Sequence, residues 1–289
     1  MAADERDAVL RWGAPRLRDL PWRATRDPWS ILVAETMLQQ TQVGRVVERY
    51  TAFLVRFPTT TVCASASSGD VVREWAGLGY NRRAVNLHRA AVLIETDWHG
   101  EWLRDVSALQ RLPGVGPYTA RAIGAFAFEM DVAVVDTNVA RILARRAGRS
   151  LTARAVQDAA DALAPVGDSW IWNQVMLDLG ATVCTARQPV CDQCPLAAAG
   201  TCSWRLAGNP DLDPAIGSAG VSGGQSRFDG SDRQGRGRLV AALRRAPVGA
   251  ADLARVMGWP ADPERAQRVA DTVLRDEIAV VERGVYRLP

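Results

Sequence analysis

The chain has 289 residues, of which 48% are hydrophobic and 23% charged, and its formal net charge at pH 7 is only +3. This length allows one large or two smaller domains with an ample core, so nothing requires oligomerisation and we expect a monomer. No apolar run approaches the ~20 residues needed to cross a bilayer, and the first residues lack the order of a secretion signal, so we expect a cytoplasmic protein with no membrane partner.

Apolar residues recur at helical spacing along most of the chain, which predicts a mainly α-helical protein. The predicted helices cover residues 5–20, 29–57 with a break near 40–42, 68–95 with a loop at 77–80, 105–111, 117–129, 137–147, 152–164 and 168–180. No alternating strand pattern occurs before about residue 278.

The last part of the chain predicts a small separate module. Residues 209–233 are rich in Gly, Ser, Asp and Pro and poor in apolar residues, which predicts a flexible linker. Three short helices at 237–245, 249–257 and 262–276 and a hairpin turning at 283–284 then form the pattern of a winged helix, which often contacts DNA or protein. A helical cap with no ligand is an equally good interpretation of residues 234–289.

The run Leu112-Pro113-Gly114-Val115-Gly116-Pro117 has the features of an anion-binding turn. Two glycines let the backbone approach a ligand closely, and Pro117 suits the first position of a helix. Free N–H groups at that helix start would face an anion such as a nucleic-acid phosphate. For a bare Gly-x-Gly pattern, a simple helix connector is the commoner meaning.

Two carboxylates stand out from their surroundings. Glu35 shares a helix face mainly with apolar residues, and burial there raises the pKa of a carboxylic acid, which is the tuning that a general acid needs near neutral pH. An ion pair with Arg45 is the alternative. Asp136 precedes a predicted helix, so it is expected to be an N-cap that is fixed in position and kept ionised.

Four of the five cysteines form a cluster: Cys184, Cys191, Cys194 and Cys202. Such clustering in an intracellular chain indicates a metal site rather than disulfides, and the spacing alone allows either zinc or an iron–sulfur cluster. Cys63 stands apart on an apolar segment and is expected to be a buried small hydrophobe. The chain contains no lysine, which excludes any mechanism that needs a side-chain Schiff base.

Taken together, these motifs resemble the helix-hairpin-helix DNA glycosylases, and most of all the MutY-type adenine DNA glycosylases. The resemblance rests on Leu112–Gly116, Tyr118-Thr119-Ala120 and Val135-Asp136-Thr137-Asn138, and it extends from about Asp19 to about Gly208. It implies an all-α glycosylase domain over 1–208. In that domain a six-helix bundle covers about 29–136, and an iron–sulfur lobe combines the N-terminal helix with about 137–208.

The resemblance also implies an activity, which is hydrolysis of adenine from double-stranded DNA where it is mispaired with 8-oxoguanine or guanine. Glu35 matches the acid that protonates the flipped adenine, and Asp136 matches the carboxylate that stabilises the oxocarbenium-like sugar. Tyr118 and Asn138 match positions that hold the Asp and the sugar. Tyr118 stands where related glycosylase-lyases carry a catalytic lysine, so no lyase activity is expected.

Further positions match DNA contacts and cofactor ligands of this family. Gly114, Val115 and Gly116 would grip a phosphate. The expected gap-filling and opposite-base contacts are Gln40, Thr41, Leu78 and Tyr80, and Trp22 and Arg23 would lie near the adenine pocket. The four clustered cysteines would hold a 4Fe-4S cluster, although seven residues separate Cys194 from Cys202 where the family usually has five.

Two alternatives remain open. One is a thymine or uracil mismatch glycosylase of the same superfamily, which Glu35 disfavours because pyrimidine release needs no protonated ring nitrogen. The other is a non-catalytic protein that binds DNA lesions, which the presence of both carboxylates disfavours. The family commonly carries a larger Nudix-like C-terminal domain that checks for 8-oxoguanine, whereas here about 80 residues with the pattern of a winged helix follow the predicted iron–sulfur lobe.

Overall fold

The structure is a computed structural model that describes residues 2–218 and 227–289. These ranges are mainly helical, with one small sheet near the C-terminus. The helices are α1 (Ala2–Gly13), α2 (Pro28–Leu38), α3 (Val43–Arg56), α4 (Thr60–Ser65), α5 (Ser68–Glu74), α6 (Arg82–Thr96), α7 (Val106–Leu109), α8 (Pro117–Ala127), α9 (Thr137–Ala147), α10 (Ala153–Leu163), α11 (Ser169–Thr182), α12 (Pro195–Ala198), α13 (Ser203–Leu206), α14 (Asp232–Leu243), α15 (Leu253–Met257) and α16 (Pro263–Arg275). The strands are β1 (Val248–Gly249), β2 (Val280–Glu282) and β3 (Val285–Arg287).

The predicted all-helical core is confirmed, with local differences that have physical causes. Helix α1 ends at Gly13 instead of residue 20, because a 3-10 turn containing Pro15 follows it. Helix α4 was not predicted; it begins after Thr59, whose hydroxyl accepts a hydrogen bond from the Val62 backbone N–H at 3.2 Å. Caps of this kind start short helices that have too few residues for a clear apolar period.

The described chain divides into two compact units. The first unit groups the residues up to Ile31, Arg104–Leu109, and the chain from Gly116 to the end of the first described range. The second unit groups Leu32–Leu103, Gln110–Val115 and the second described range. This division differs from the predicted lobes, since α8 groups with the first unit and the C-terminal module with the helices of the second.

The core of the first unit is built on α11, which packs against α1 and α9. Val175 and Leu179 of α11 are fully buried together with Val9 of α1 and Leu143 of α9. Gly13 lies so close to α11 that an added Cβ would be 2.1 Å from a methyl group of Val175. The N-terminal helix is therefore an integral part of this unit.

The second unit contains the helices α3 to α6, among which α4 and α5 pack against α6, and the C-terminal module. Phe53 of α3 meets Trp75 edge to face, with ring centroids 5.9 Å apart. Cys63 of α4 is fully buried, as expected for a small hydrophobe, and burial raises the pKa of its thiol to about 12. The module has three helices and a sheet of order β1-β3-β2 in which Val281 pairs with Tyr286, the topology of a winged helix.

The segment predicted as a linker differs from expectation at both ends. Residues 209–218 pack onto the first unit, where Asp213 pairs with Arg145 at 2.6 Å and the Ser218 hydroxyl accepts from the Leu151 N–H at 3.2 Å. Helix α14 begins at Asp232 after the N-cap Ser231. Residues 219–226 of the predicted linker lie outside the described residues. Polar contacts anchor the ends of this segment, whereas its composition indicates only that apolar burial is small.

Within the described ranges, no helix has both the length and the apolar character needed to span a bilayer.

Candidate active site

The predicted site residues fall in both units, and each group is described within its own unit. Glu35 lies in the second unit on α2. This helix starts at Pro28, and the preceding residue, Asp27, accepts a hydrogen bond from the Ser30 backbone N–H at 2.9 Å. Its side chain is only 4% exposed, and the helix from Leu32 to Met37 is buried throughout. The predicted burial of this carboxyl group among apolar residues is confirmed.

Arg83, at the start of α6, joins the two loops that were expected to contact DNA. One guanidinium nitrogen, Nη1, donates to the carbonyls of Thr36, Met37 and Gln39 at 2.7, 2.9 and 2.6 Å. The other, Nη2, donates to the Thr41 hydroxyl and to the Leu78 and Gly79 carbonyls at 3.1, 3.0 and 3.1 Å. Burial lowers the pKa of Arg83 to about 10, which still leaves it charged at neutral pH. One buried cation therefore fixes both loops.

Those two loops present exposed side chains from unusual backbone conformations. Gln40 has φ 56° and Tyr80 has φ 44°, so both lie in the left-handed region. Tyr80 is 43% exposed, but Leu78 is only 3% exposed and packs in the core. The expected DNA contact of Leu78 is thus not available at the surface in this conformation. A bulky residue with positive φ is a strained position of the kind that clusters at functional sites.

The Gly/Pro hairpin has the predicted conformation. Gly114 has φ 80°, and an added Cβ would lie 2.9 Å from the Cβ of Asn86, so this turn requires glycine. Val115 is 7% exposed, and its N–H donates back to the Leu112 carbonyl at 3.0 Å. A Cβ on Gly116, the N-cap of α8, would meet nothing within 4 Å. The start of α8 is therefore open to close approach by a ligand.

Asp136, in the first unit, is the N-cap of α9. Its Oδ1 accepts from the Val139 N–H at 2.8 Å, and its Oδ2 accepts from the Asn138 side-chain amide at 2.7 Å. Burial raises the pKa of Asp136, and these hydrogen bonds and the charge of Arg141 offset only part of that rise. The predicted cap is confirmed, and desolvation outweighs its effect on the pKa, which lies above the usual value of an aspartate.

The segment before Asp136 is fixed by a buried asparagine. Asn173 of α11 is 1% exposed; its Oδ1 accepts from the Val134 N–H at 2.8 Å and its Nδ2 donates to the Val132 carbonyl at 2.9 Å. A buried backbone that has no helix or sheet partner needs such side-chain bonds. Asp136 is thus held from both sides along the chain.

The segment after Asp136 is tied to the cysteine cluster through Arg141. This guanidinium donates to the Asn138 Oδ1 at 2.8 Å, to the Gly180 carbonyl at 2.7 Å and to the Cys184 carbonyl at 2.7 Å. An added Cβ on Gly180 would lie 2.5 Å from the Cβ of Asn138, so only glycine permits this approach. Asn138 is therefore oriented by residues of α11 and of the cysteine lobe.

Tyr118, Trp22 and Arg23 also belong to the first unit. Tyr118 is half-buried in the first turn of α8, and Trp22 is 6% exposed. The guanidinium of Arg23 forks onto Asp178 of α11, with two contacts of 2.8 Å, and Arg18 binds the same carboxylate at 2.7 Å. Burial acts to raise the pKa of Asp178, but the hydrogen bonds from Arg23 and Arg18 hold it below its usual value. Arg23 thus anchors the segment that carries Trp22.

All four clustered cysteines line one cavity. Seven residues separate Cys202 from Cys194, two more than the family usually has. Cys202 still lines the cavity, because α12 and a turn at Gly200, with φ 67°, accommodate the two additional residues. Among the described residues, no three His, Cys, Asp or Glu side chains could hold one metal ion. Four cysteine thiolates are the donor set of a 4Fe-4S cluster, so these four residues fit that cofactor.

Arg145 closes one side of this cavity. It donates to the Cys184 Sγ at 3.3 Å, pairs with Asp213 and lies 4.7 Å from the Trp204 ring centroid. Burial raises the pKa of the Cys184 thiol, and the Arg145 contact opposes that rise. A cation at this place compensates negative charge on the sulfur ligands.

Sequence reasoning missed the residues that position the predicted ones: Arg83, Arg141, Arg145, Asn173 and Asp178. Asp178 had a usable signal, since it is a charge within the apolar run of α11, as Glu35 is within α2. The arginines gave none, because an arginine in a charged cluster is usually a solvated residue.

Two family profiles and several relatives match this chain. A profile of the HhH-GPD superfamily of base excision DNA repair proteins matches residues 33–172, and a profile of the iron–sulfur binding domain of endonuclease III matches residues 184–198. The adenine DNA glycosylase of Mycolicibacterium smegmatis is 41% identical, covering 93% of this chain and 90% of that protein. That of Mycobacterium tuberculosis is 42% identical over 97% and 92%. The human enzyme of that name is 36% identical over 74% of this chain but only 44% of its own length.

Among solved structures, a thermostable thymine-DNA glycosylase aligns with a TM-score of 0.66 and 30% identity, covering 70% of this chain and 95% of that one. A trapped covalent complex of endonuclease III with DNA aligns with a TM-score of 0.62 and 22% identity, over 73% and 99%. The fold and the site thus define a member of the HhH-GPD superfamily of base excision DNA repair proteins. Within it, the chain belongs to the adenine DNA glycosylase family and has the iron–sulfur domain that carries a 4Fe-4S cluster.

Proposed function

We propose that this protein hydrolyses the N-glycosidic bond of adenine mispaired with 8-oxoguanine or guanine in double-stranded DNA. The observation that carries the proposal is Glu35, a carboxyl group 4% exposed in a buried apolar helix of a chain that matches adenine DNA glycosylases over nearly its whole length. Burial raises the pKa of a carboxylic acid, which suits a donor of a proton to a purine ring nitrogen, and pyrimidine release has no such nitrogen to protonate.

In the proposed reaction, adenine is turned out of the stack before the bond breaks. Glu35 donates its proton to the purine ring, and the bonding electrons leave with the neutral base. Positive charge then develops on the sugar, and the Asp136 carboxylate, oriented by Asn138 and the α9 backbone, stabilises it. A water molecule adds to C1′ of the sugar and gives a proton to the Glu35 carboxylate, which restores the acid and leaves an abasic site.

The DNA contacts are proposed from the same geometry. The open start of α8 at Gly116, with the Gly114 turn before it, offers N–H groups to a phosphate. Gln40, Thr41 and Tyr80 lie on the two loops that Arg83 fixes, and we assign them to the gap left by the adenine and to the opposite base. Trp22 and Arg23 line the adenine side in this proposal.

The cofactor ligands follow from the cysteine cavity. Cys184, Cys191, Cys194 and Cys202 would hold the 4Fe-4S cluster, which adds structural order to the lobe that fixes Arg141. No lysine is present to form an imine with the sugar, so the abasic strand should remain uncut. We propose a monofunctional glycosylase.

The test uses four labelled duplexes with A opposite 8-oxoguanine, A opposite G, T opposite G, and U opposite G. Each is incubated with the protein and analysed with and without alkali. We expect strand breaks only in the two adenine duplexes and only after alkali. Cleavage at T or U alone would instead identify a pyrimidine mismatch glycosylase, like the thymine-DNA glycosylase that shares this fold. No cleavage with retained mismatch binding would identify a lesion-binding protein.

A further inference from the structure

Tyr80 is an exposed aromatic residue held in a strained conformation. Its φ of 44° follows φ 70° at Gly79, and 43% of the residue is exposed. A bulky residue persists in the left-handed region only where its surroundings over-determine the loop. The contacts that hold residues 77–81, the Tyr80 loop, therefore show what the conformation depends on.

The helices of the same unit supply the first set of contacts. Trp75 Nε1 and Arg83 Nη2 both donate to the Gly79 carbonyl, at 3.2 and 3.1 Å. The Arg83 guanidinium also lies 5.7 Å from the Tyr80 ring centroid, a cation–π distance. These contacts fix the inner side of the loop.

The C-terminal module supplies the second set. Arg244, at the end of α14, donates to the Asn81 Oδ1 at 2.7 Å and to the Val72 carbonyl at 3.0 Å. Asn81 is 7% exposed and directly follows Tyr80. Arg233, in the first turn of α14, places its Nη1 3.5 Å from the Tyr80 hydroxyl. Both ends of α14 thus contact the loop. Arg233 and Arg244 are eleven residues apart, which corresponds to roughly 16 Å along a helix.

The module is also seated at places away from the loop. Arg82 and Arg89 of α6 pair with Asp276 and Glu277, which follow α16. An added Cβ on Gly69 would lie 2.1 Å from the carbonyl of the last residue, Pro289. These contacts hold the module on α5 and α6 whether or not Arg244 is present, which allows the effect on the loop to be separated from seating.

We propose that the C-terminal module is a specificity element: Arg244 and α14 fix the Tyr80 loop against the base opposite the excised adenine. This inference rests on the proposed function. Arg244 is a positioning residue in this proposal, because it acts on DNA through Asn81 and Tyr80. A small winged-helix module thereby contributes to reading the opposite base by bracing a loop of the glycosylase domain. Tyr80 itself remains the group that meets the base.

The test compares R244A, the conservative R244K and the matched control R89A, which removes a seating contact remote from the loop. Single-turnover adenine release is measured on duplexes with A opposite 8-oxoguanine and A opposite guanine. We expect the ratio of the two rates to fall at least about fivefold in R244A, as when one charge-assisted hydrogen bond is lost, and to recover in part in R244K. In R89A it should stay within about twofold of the wild type.

Amide hydrogen exchange without DNA gives a second readout. The amides of residues 77–81 should exchange faster in R244A than in the wild type, and their exchange rate should be unchanged in R89A. A wild-type ratio in R244A, or an equal fall in R244A and R89A, overturns the module's role whatever the exchange shows. Failure of the wild type to release adenine from either duplex overturns the proposed function itself, which distinguishes the two outcomes.

Discussion

The guanidinium of Arg141 bridges the side-chain oxygen of Asn138, at 2.8 Å, and the backbone carbonyl of Cys184, at 2.7 Å. Asn138 in turn donates to the Asp136 carboxylate at 2.7 Å. Two side chains therefore connect the first cysteine of the cavity with the carboxylate assigned to the sugar. Each link is a hydrogen bond with a buried or half-buried partner. A displacement of the cysteine lobe is therefore transmitted to Asp136 through Arg141 and Asn138.

Replacing Arg141 by glutamine should lower single-turnover adenine release by about tenfold to a hundredfold, the rate equivalent of about 1.5–3 kcal/mol for a charge-assisted hydrogen bond. Affinity for the mismatch should change little, because Arg141 is not assigned to DNA. Arg154→Gln, at a position 92% exposed, is the control and should leave the rate unchanged. A wild-type rate in the Arg141 variant would remove this residue from the positioning of Asp136.

Asn138→Ala should move the acidic limb of the pH–rate profile to higher pH. Burial already raises the pKa of Asp136, and the Asn138 hydrogen bond opposes that rise because it favours the ionised form. Losing the bond raises the pKa further, so a higher pH is needed to ionise the carboxylate. The measurement is kcat/KM for adenine release across the acidic range. A limb that stays in place or moves to lower pH contradicts the assignment of Asp136.

Asp178→Ala should lower the free energy of unfolding by about 3 kcal/mol, because it leaves two arginines near a buried site without their carboxylate. The exposed Asp158, paired with Arg154, is the matched control, and its alanine variant should cost less than about 1 kcal/mol. Denaturant titrations of both variants at neutral pH make the comparison.

The ion pairs of Asp178 with Arg23 and Arg18 also predict how stability depends on pH. Since Arg23 and Arg18 hold the pKa of Asp178 below its usual value, its stabilisation is fully present above the unfolded-state pKa. It is lost as the pH falls through the lowered folded-state pKa. The difference in stability between the wild type and Asp178→Ala should therefore shrink in acid; a difference that grows in acid would reverse the sign of the argument.

Cys202→Ser should reduce bound iron well below the about four atoms per chain expected for the wild type, because Cys202 lines the cavity with the other three cysteines. Cys63→Ala, at a buried cysteine outside that cavity, is the control and should retain its iron. Iron and labile sulfide are measured together on purified protein. Full iron content in the Cys202 variant would show that the longer spacing has displaced this residue from the ligand set.

The sequence predicted those parts of the site that depend on local patterns. Glu35 stands out because its helix is otherwise apolar, and the Gly114 turn and the Asp136 cap depend on residues within a few positions. What it did not predict depends on distant partners: Arg23 meets Asp178 across 155 positions, and Arg145 meets Asp213 across 68. A charge is visible in a sequence, but the residue that neutralises it is visible only once the chain has folded.

The same limit explains the predicted linker and the C-terminal module. Residues 209–218 have few apolar side chains, yet Asp213 and Ser218 attach them to the first unit through polar contacts. The winged-helix pattern was readable from the order of helices and strands, whereas its contact with Asn81 through Arg244 was not. Composition reports how much apolar surface a segment can bury, and it carries no record of specific hydrogen bonds.

The most direct test of the central claim is single-turnover adenine release by Glu35→Gln from a duplex with A opposite 8-oxoguanine, with binding measured on the same preparation. Glutamine has the same shape but no acidic proton, and general acid catalysis contributes about 10²–10⁴-fold. Glu48→Gln, at an exposed position of α3, is the control. We predict that the Glu35 variant binds the duplex as the wild type does and releases adenine at least about a hundredfold more slowly. A release rate close to that of the wild type would contradict the account.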